Sequence, residues 1–89
     1  MTRSRTPARK PKKSATLTPF LGEVITSLRL RRNLTIEQLA DRSDLHWTTI
    51  SVIEAGKKTP GLGTIEAIAE GLEITPSELL REAEKAARA

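Results

Sequence analysis

Trp47, Thr48, Ser51 and Val52 share one helical stripe within the segment LADRSDLHWTTISVIEAG, residues 39–56. Trp47 is the only tryptophan of the chain, and His46 beside it is the only histidine. With Ala55, the stripe carries no charge and mixes hydroxyls with apolar surface. In the major groove of DNA, hydroxyls exchange hydrogen bonds with base edges in either direction, and apolar surface meets the thymine methyl. Cations then belong at the flanks, where the phosphates run. Lys57 and Lys58 follow the stripe, and Arg31 and Arg32 close an earlier helical segment. His46 fits a solvated helix start or a phosphate contact. Trp47 fits partial burial against the end of the first helix, a base or sugar contact, or a contact with another protein. Enzymatic chemistry finds no foothold. The chain has no cysteine, no GxSxG, no P-loop and no HExxH, and one histidine builds no zinc site alone. Glu66 and Glu70 form an i, i+4 pair that reads as a solvated helix face. No catalytic residue, metal or cofactor is expected.

The elements that position this stripe are all helical, so the expected fold class is all-α, a compact bundle of five helices. Helix 1 spans about 19–32, with Phe20, Val24, Ile25 and Leu28 at helical spacing and Pro19 in a first turn. Helix 2, about 36–42, opens on the capping box Thr35–Gln38 and points Leu39 and Ala40 inward. Its N-terminal amides and Thr35 also suit a phosphate. Only SDLH separates it from helix 3, about 47–54, so the two cross sharply as in a helix-turn-helix. Asp44 takes the turn, Leu45, Ile50 and Ile53 face the core, and Gly56 ends the helix in the left-handed conformation. Helix 4, about 62–71, lines up Leu62, Ile65, Ile68, Ala69 and Leu72. Helix 5 opens on a second capping box, Thr75–Glu78 with Pro76 at its first position, and runs towards Arg88. Its apolar row of Leu79, Leu80, Ala83 and Ala87 is longer than one small core needs, which predicts a subunit interface.

The net charge of +4 is unevenly placed. Residues 1–16 carry six cations and no acid, and two prolines; the remaining nine basic and eleven acidic residues leave −2 on residues 17–89. A segment so charged and so poor in apolar residues is expected to be disordered, either a solubility tail or an electrostatic arm for an acidic polymer. Residues 17–89 are expected to form one domain with a C-terminal dimerisation helix. At 89 residues with no disulfide available, self-association is the remaining source of extra stability, and a homodimer is expected. No apolar run approaches a membrane span and no signal-peptide core is present, so the expectation is a soluble, cytoplasmic protein without membrane contact.

The ordered set Leu28-x-x-x-Arg32, LTIEQLADRSDL, TTISVIEAGKKTP and TIEAIAEGLEITPSELL resembles the Cro/cI-like (Xre) helix-turn-helix repressors over residues 20–80. That family includes phage repressors and the controller proteins of restriction–modification systems. The resemblance implies a lambda-repressor-like domain, homodimers on near-palindromic double-stranded DNA operators, and transcriptional control. It places helix 3 in the major groove with Trp47, Thr48 and Val52 facing bases and His46 and Ser51 near bases or backbone. It also implies an ion pair between Arg29 and Glu54. The sequence departs from the family pattern at Asp44, where the turn glycine is usual, and at Ile36, where a polar residue usually opens helix 2. It departs again at the base-facing positions, which lack the Gln, Arg or Asn that read purines in bidentate fashion. Readout weighted towards thymine methyls and DNA shape is expected. The alternative is a protein-interaction module on the same scaffold, such as an antitoxin or bridging factor, which would bind no duplex even at low salt.

Removing residues 1–16 is expected to weaken binding to all duplexes alike and to flatten its dependence on salt, as measured by titration at several ionic strengths. A sharp change in preference among sequences would instead make the arm a base reader.

Overall fold

In the computed structural model, which describes residues 17–89, five helices follow one another: α1 (Thr18–Arg31), α2 (Ile36–Ser43), α3 (Trp47–Glu54), α4 (Leu62–Gly71) and α5 (Pro76–Arg88). The basic arm expected at residues 1–16 lies outside the described residues. Both capping boxes form. The Thr35 hydroxyl accepts from the Gln38 amide at 3.0 Å while Gln38 accepts from the Thr35 amide at 2.8 Å, and Thr75 and Glu78 do the same at 3.1 and 2.8 Å. Hydrogen bonds from Thr75, the backbone amide first, hold the Glu78 carboxyl below the ordinary glutamate range. That contribution to the start of α5 is therefore present at neutral pH and lost as pH falls through the lowered value.

One device ends each of the first four helices. A residue in the left-handed region follows the last turn: Asn33 (φ 57°), Asp44 (φ 57°), Gly56 (φ 74°) and Glu73 (φ 63°). The amide after it reaches back to a carbonyl five residues earlier: Leu34 to Arg29, Leu45 to Ala40, Lys57 to Val52 and Ile74 to Ala69, all between 2.9 and 3.1 Å. These are Schellman motifs, in which a residue just past the left-handed position packs apolar surface back on the helix. Leu34, Leu45 and Ile74 do so against the core. At the end of α3 the equivalent residue is Lys57, which is exposed.

The core is built from Leu21 and Ile25 of α1, Leu39 and Ala40 of α2, Ile50 and Ile53 of α3, Ile68, Ala69 and Leu72 around α4, and Leu79 and Ala83 of α5. α1 packs on α5 and α3, and α2 on α3 and α4. The last two core residues correct the sequence reading. Leu79 and Ala83 are 0% exposed within the monomer and have no surface left for a subunit interface. α1 lies along α5, and closing that contact consumes the inner part of the apolar row. Leu80 remains half-buried and Ala87 exposed. Leu62, the first of the apolar row of helix 4 and the first residue of α4, is 66% exposed.

Two features hold α3 from behind. Gly22 of α1 lies against the carbonyls of Ile53 and Glu54, so that a Cβ there would sit 2.7 Å from the Glu54 oxygen and closer still to that of Ile53. Beside it, Arg29 and Glu54 meet in a fork, Nε to Oε2 at 2.8 Å and Nη2 to Oε1 at 3.1 Å, while Nη1 donates to the Leu34 carbonyl at 2.8 Å. Their side chains are only 11% and 8% exposed. Ser43, at the end of α2, is buried over Gly71 of α4, and its hydroxyl finds no partner among the described residues.

Two glycine substitutions are expected to act in opposite directions in denaturant titrations. Gly22→Ala must push backbone away from backbone and costs about 1–3 kcal/mol, whereas Asp44→Gly relieves a left-handed residue and stabilises by roughly 1 kcal/mol. Glu54→Ala leaves a buried guanidinium unpaired and costs about 3–5 kcal/mol, much of it recovered when Arg29→Met is combined with it. Equal costs for the single and double variants would contradict this account of the pair.

Candidate nucleic-acid interface

α3 buries one side and shows the other. Ile50 and Ile53 are sealed in the core, and the stripe at right angles and beyond turns outward. Trp47 is 48% exposed, Thr48 and Ala55 are exposed, and Ser51 and Val52 are half-buried, Val52 resting against the core rim. The outward stripe thus holds all four expected base-facing residues, with less of Val52 on offer than of the first two. It carries no charge, because the one acid of the helix, Glu54, is turned back onto Arg29.

His46 opens the helix as its N-cap. Its Nδ1 accepts from the Thr48 amide at 3.2 Å and also meets the Thr48 hydroxyl. The Trp47 ring stacks on the imidazole with centroids 5.9 Å apart and planes inclined by 30°. Histidine seldom caps a helix; here the cap leaves the opposite edge of the ring exposed at the head of the stripe.

At the other end of α3, Lys57 and Lys58 are exposed on the turn that follows. The turn is anchored by buried Pro60 and by a 3.0 Å contact between the hydroxyls of Thr59 and Thr18. The two lysines are therefore carried by a held segment rather than a free loop. Thr35 sits exposed at the start of α2. Its oxygen accepts in the capping box, and its own hydroxyl hydrogen remains available to a further acceptor.

Arg31 and Arg32 require a correction. Neither flanks α3 as expected from the end of helix 1. Arg31 lines a cleft between α1 and α5 with Val24, Leu28, Glu82 and Lys85, because two residues beyond Arg29 a helix has turned by more than half a circle. Arg32 donates to Glu73 at 3.1 Å, and Arg42 of α2 reaches the other carboxylate oxygen at 3.5 Å. Glu73 thus draws both arginines to the α4–α5 turn, in exposed pairs of small energetic weight. Sequence reasoning missed Glu73, Arg42 and Gly22. Their signal is a left-handed glutamate and a helical glycine, neither of which has a distinctive spacing.

Among the described residues no group of His, Cys, Asp or Glu is placed to hold a metal ion, and no helix is long and apolar enough to cross a membrane.

The comparisons agree with this architecture. A family model described as helix-turn-helix matches residues 25–79. The control protein C.BamHI of Bacillus amyloliquefaciens is 40% identical over 62 residues, which are 68% of this chain and 76% of that protein. The immunity repressor protein of Bacillus phage phi105 is 36% identical over 62 residues, 70% of this chain and 43% of the repressor. Among solved structures, the restriction–modification controller protein C.Esp1396I, as a tetramer in complex with its natural 35 base-pair operator, superposes with a TM-score of 0.76. It is 30% identical, over 82% of this chain and 96% of that one. The chain belongs to the helix-turn-helix family, among regulators of the Cro/cI type.

Proposed function

We propose that this protein is a sequence-specific DNA-binding transcription regulator that acts as a homodimer on a near-palindromic operator, with α3 in the major groove. The observation that carries the reading is the outward stripe of α3, uncharged and bordered by exposed lysines, on a helix whose only acid is sequestered. Relatives that are control proteins, and one solved bound to its operator, support it. In this reading Trp47, Thr48, Ser51 and Val52 face bases. Lys57, Lys58, His46 and Thr35 face phosphates, since each is exposed beside that stripe or at the start of the helix crossing above it. Arg31 and Arg32 drop out, being turned towards α5 and Glu73. The acidic run of α4 and α5 (Glu66, Glu70, Glu78, Glu82, Glu84) lies on surface kept away from the duplex. The subunit contact is left to apolar surface the monomer does not consume, such as Leu80 and Ala87 on α5.

Selection of bound sequences from a random duplex pool tests the reading. The expected motif is an inverted repeat whose half-sites lie about one helical turn apart, roughly 34 Å. Loss of enrichment would reject sequence-specific binding, and an enriched motif without symmetry would reject the dimer. Val52→Ala is expected to cost about 1–3 kcal/mol on the selected operator and little on random DNA, read by competition titration. Equal losses on both would remove Val52 from the base-facing set.

A further inference from the structure

The contact between His46 and Thr48 has a consequence for which bases the stripe accepts. A backbone amide only donates, so the nitrogen that receives the Thr48 amide, Nδ1, keeps its lone pair. In the neutral ring the proton then lies on Nε2. The Thr48 hydroxyl also touches Nδ1. With no hydrogen on that nitrogen, the hydrogen in the contact is the hydroxyl's own, and Nδ1 receives both donors of Thr48. The Trp47 ring stacked on the imidazole opposes the ring flip that would exchange the two nitrogens. Thr48 is exposed, so what it presents outward is a hydroxyl with its hydrogen already committed, lone pairs and a methyl group.

We propose that His46 fixes the polarity of Thr48, so that its hydroxyl acts outward only as a hydrogen-bond acceptor and selects a base bearing an amino group in the major groove, adenine or cytosine. Guanine offers only acceptors there, N7 and O6, and thymine only O4 and its methyl; neither supplies the hydrogen this hydroxyl lacks. His46 is a positioning residue in this scheme, and the outward Nε2–H is a donor suited to a phosphate oxygen. The inference rests on the reading of α3 as the element that faces DNA.

Two measurements test it, and they separate its failure from the failure of that reading. The single histidine gives one imidazole spin system in nitrogen-15 correlation spectra of the free protein, with separate signals for Nδ1 and Nε2. In the neutral ring the proton is expected on Nε2, and finding it on Nδ1 overturns the proposal while leaving DNA binding untouched. Selections are then run on the unchanged protein, on Thr48→Val and on His46→Gly, glycine being a tolerated N-cap. The unchanged protein is expected to favour one amino-bearing base by about two- to tenfold at one position per half-site, and to lose that preference when the base is replaced by its analogue without the amino group. Thr48→Val loses that preference there alone. His46→Gly frees the hydroxyl to donate, so guanine and thymine join at the same position. Because every base pair carries one amino group, base identity on one strand does not decide; unchanged binding when the base at that position is replaced by its analogue without the amino group, or no change with His46→Gly, overturns the proposal. Absence of any enriched sequence sinks the DNA-reading assignment, and the proposal with it.

Discussion

Arg29 makes three hydrogen bonds with two parts of the chain, two to Glu54 at the end of α3 and one to the Leu34 carbonyl ahead of α2. Through that one guanidinium, α1 holds both arms of the helix-turn-helix. The bare backbone at Gly22 lets α1 approach closely enough for the contact to form. The pair also answers an electrostatic problem. A glutamate at the exposed end of α3 would repel a polyanion, and the fork turns its charge inward and cancels it. A surface that meets phosphates thus depends on a charge pair hidden behind it. Such pairs are costly to desolvate, and their value lies as much in fixing one geometry as in raw stability.

The rest of the domain is arranged around that fixed helix. Ile50 and Ile53 tie α3 into the core, and the same helical period that buries them turns Trp47 and Thr48 outward. The Schellman ends of α1, α2 and α4 bring the chain back to the core with Leu34, Leu45 and Ile74. The end of α3 is the exception, with a lysine in the apolar place. That local departure from the packing rule falls where an exposed cation is useful and a buried leucine is not.

Much of this was legible in the residues. The two capping boxes set the starts of α2 and α5, and Asp44 and Gly56 marked left-handed turns, because each rests on short-range chemistry that tertiary packing does not override. The outward stripe followed from helical period alone. What period could not show was depth. Leu79 and Ala83 share a row with Leu80 and Ala87, and only the approach of α1 decides that the first two are core. Nor could it show direction at a helix end: Arg31 and Arg32 look like flanking cations in a linear reading, but the turn of the helix and the pull of Glu73 take them elsewhere. Gly22 was silent for a related reason, since a glycine required by a neighbour's backbone has no local signature. The polarity of Thr48 was equally hidden, because it depends on which nitrogen of His46 faces the helix.

The lone tryptophan makes the docking of α3 on DNA directly measurable. Trp47 stands half-exposed in the first turn of α3, so its fluorescence reports on that face and nothing else. A selected operator duplex is titrated into the protein, and quenching by acrylamide is followed alongside complex formation on a gel. Trp47 is expected to become shielded from the quencher in step with the bound fraction. A complex that forms while Trp47 stays as accessible as in the free protein would contradict that docking.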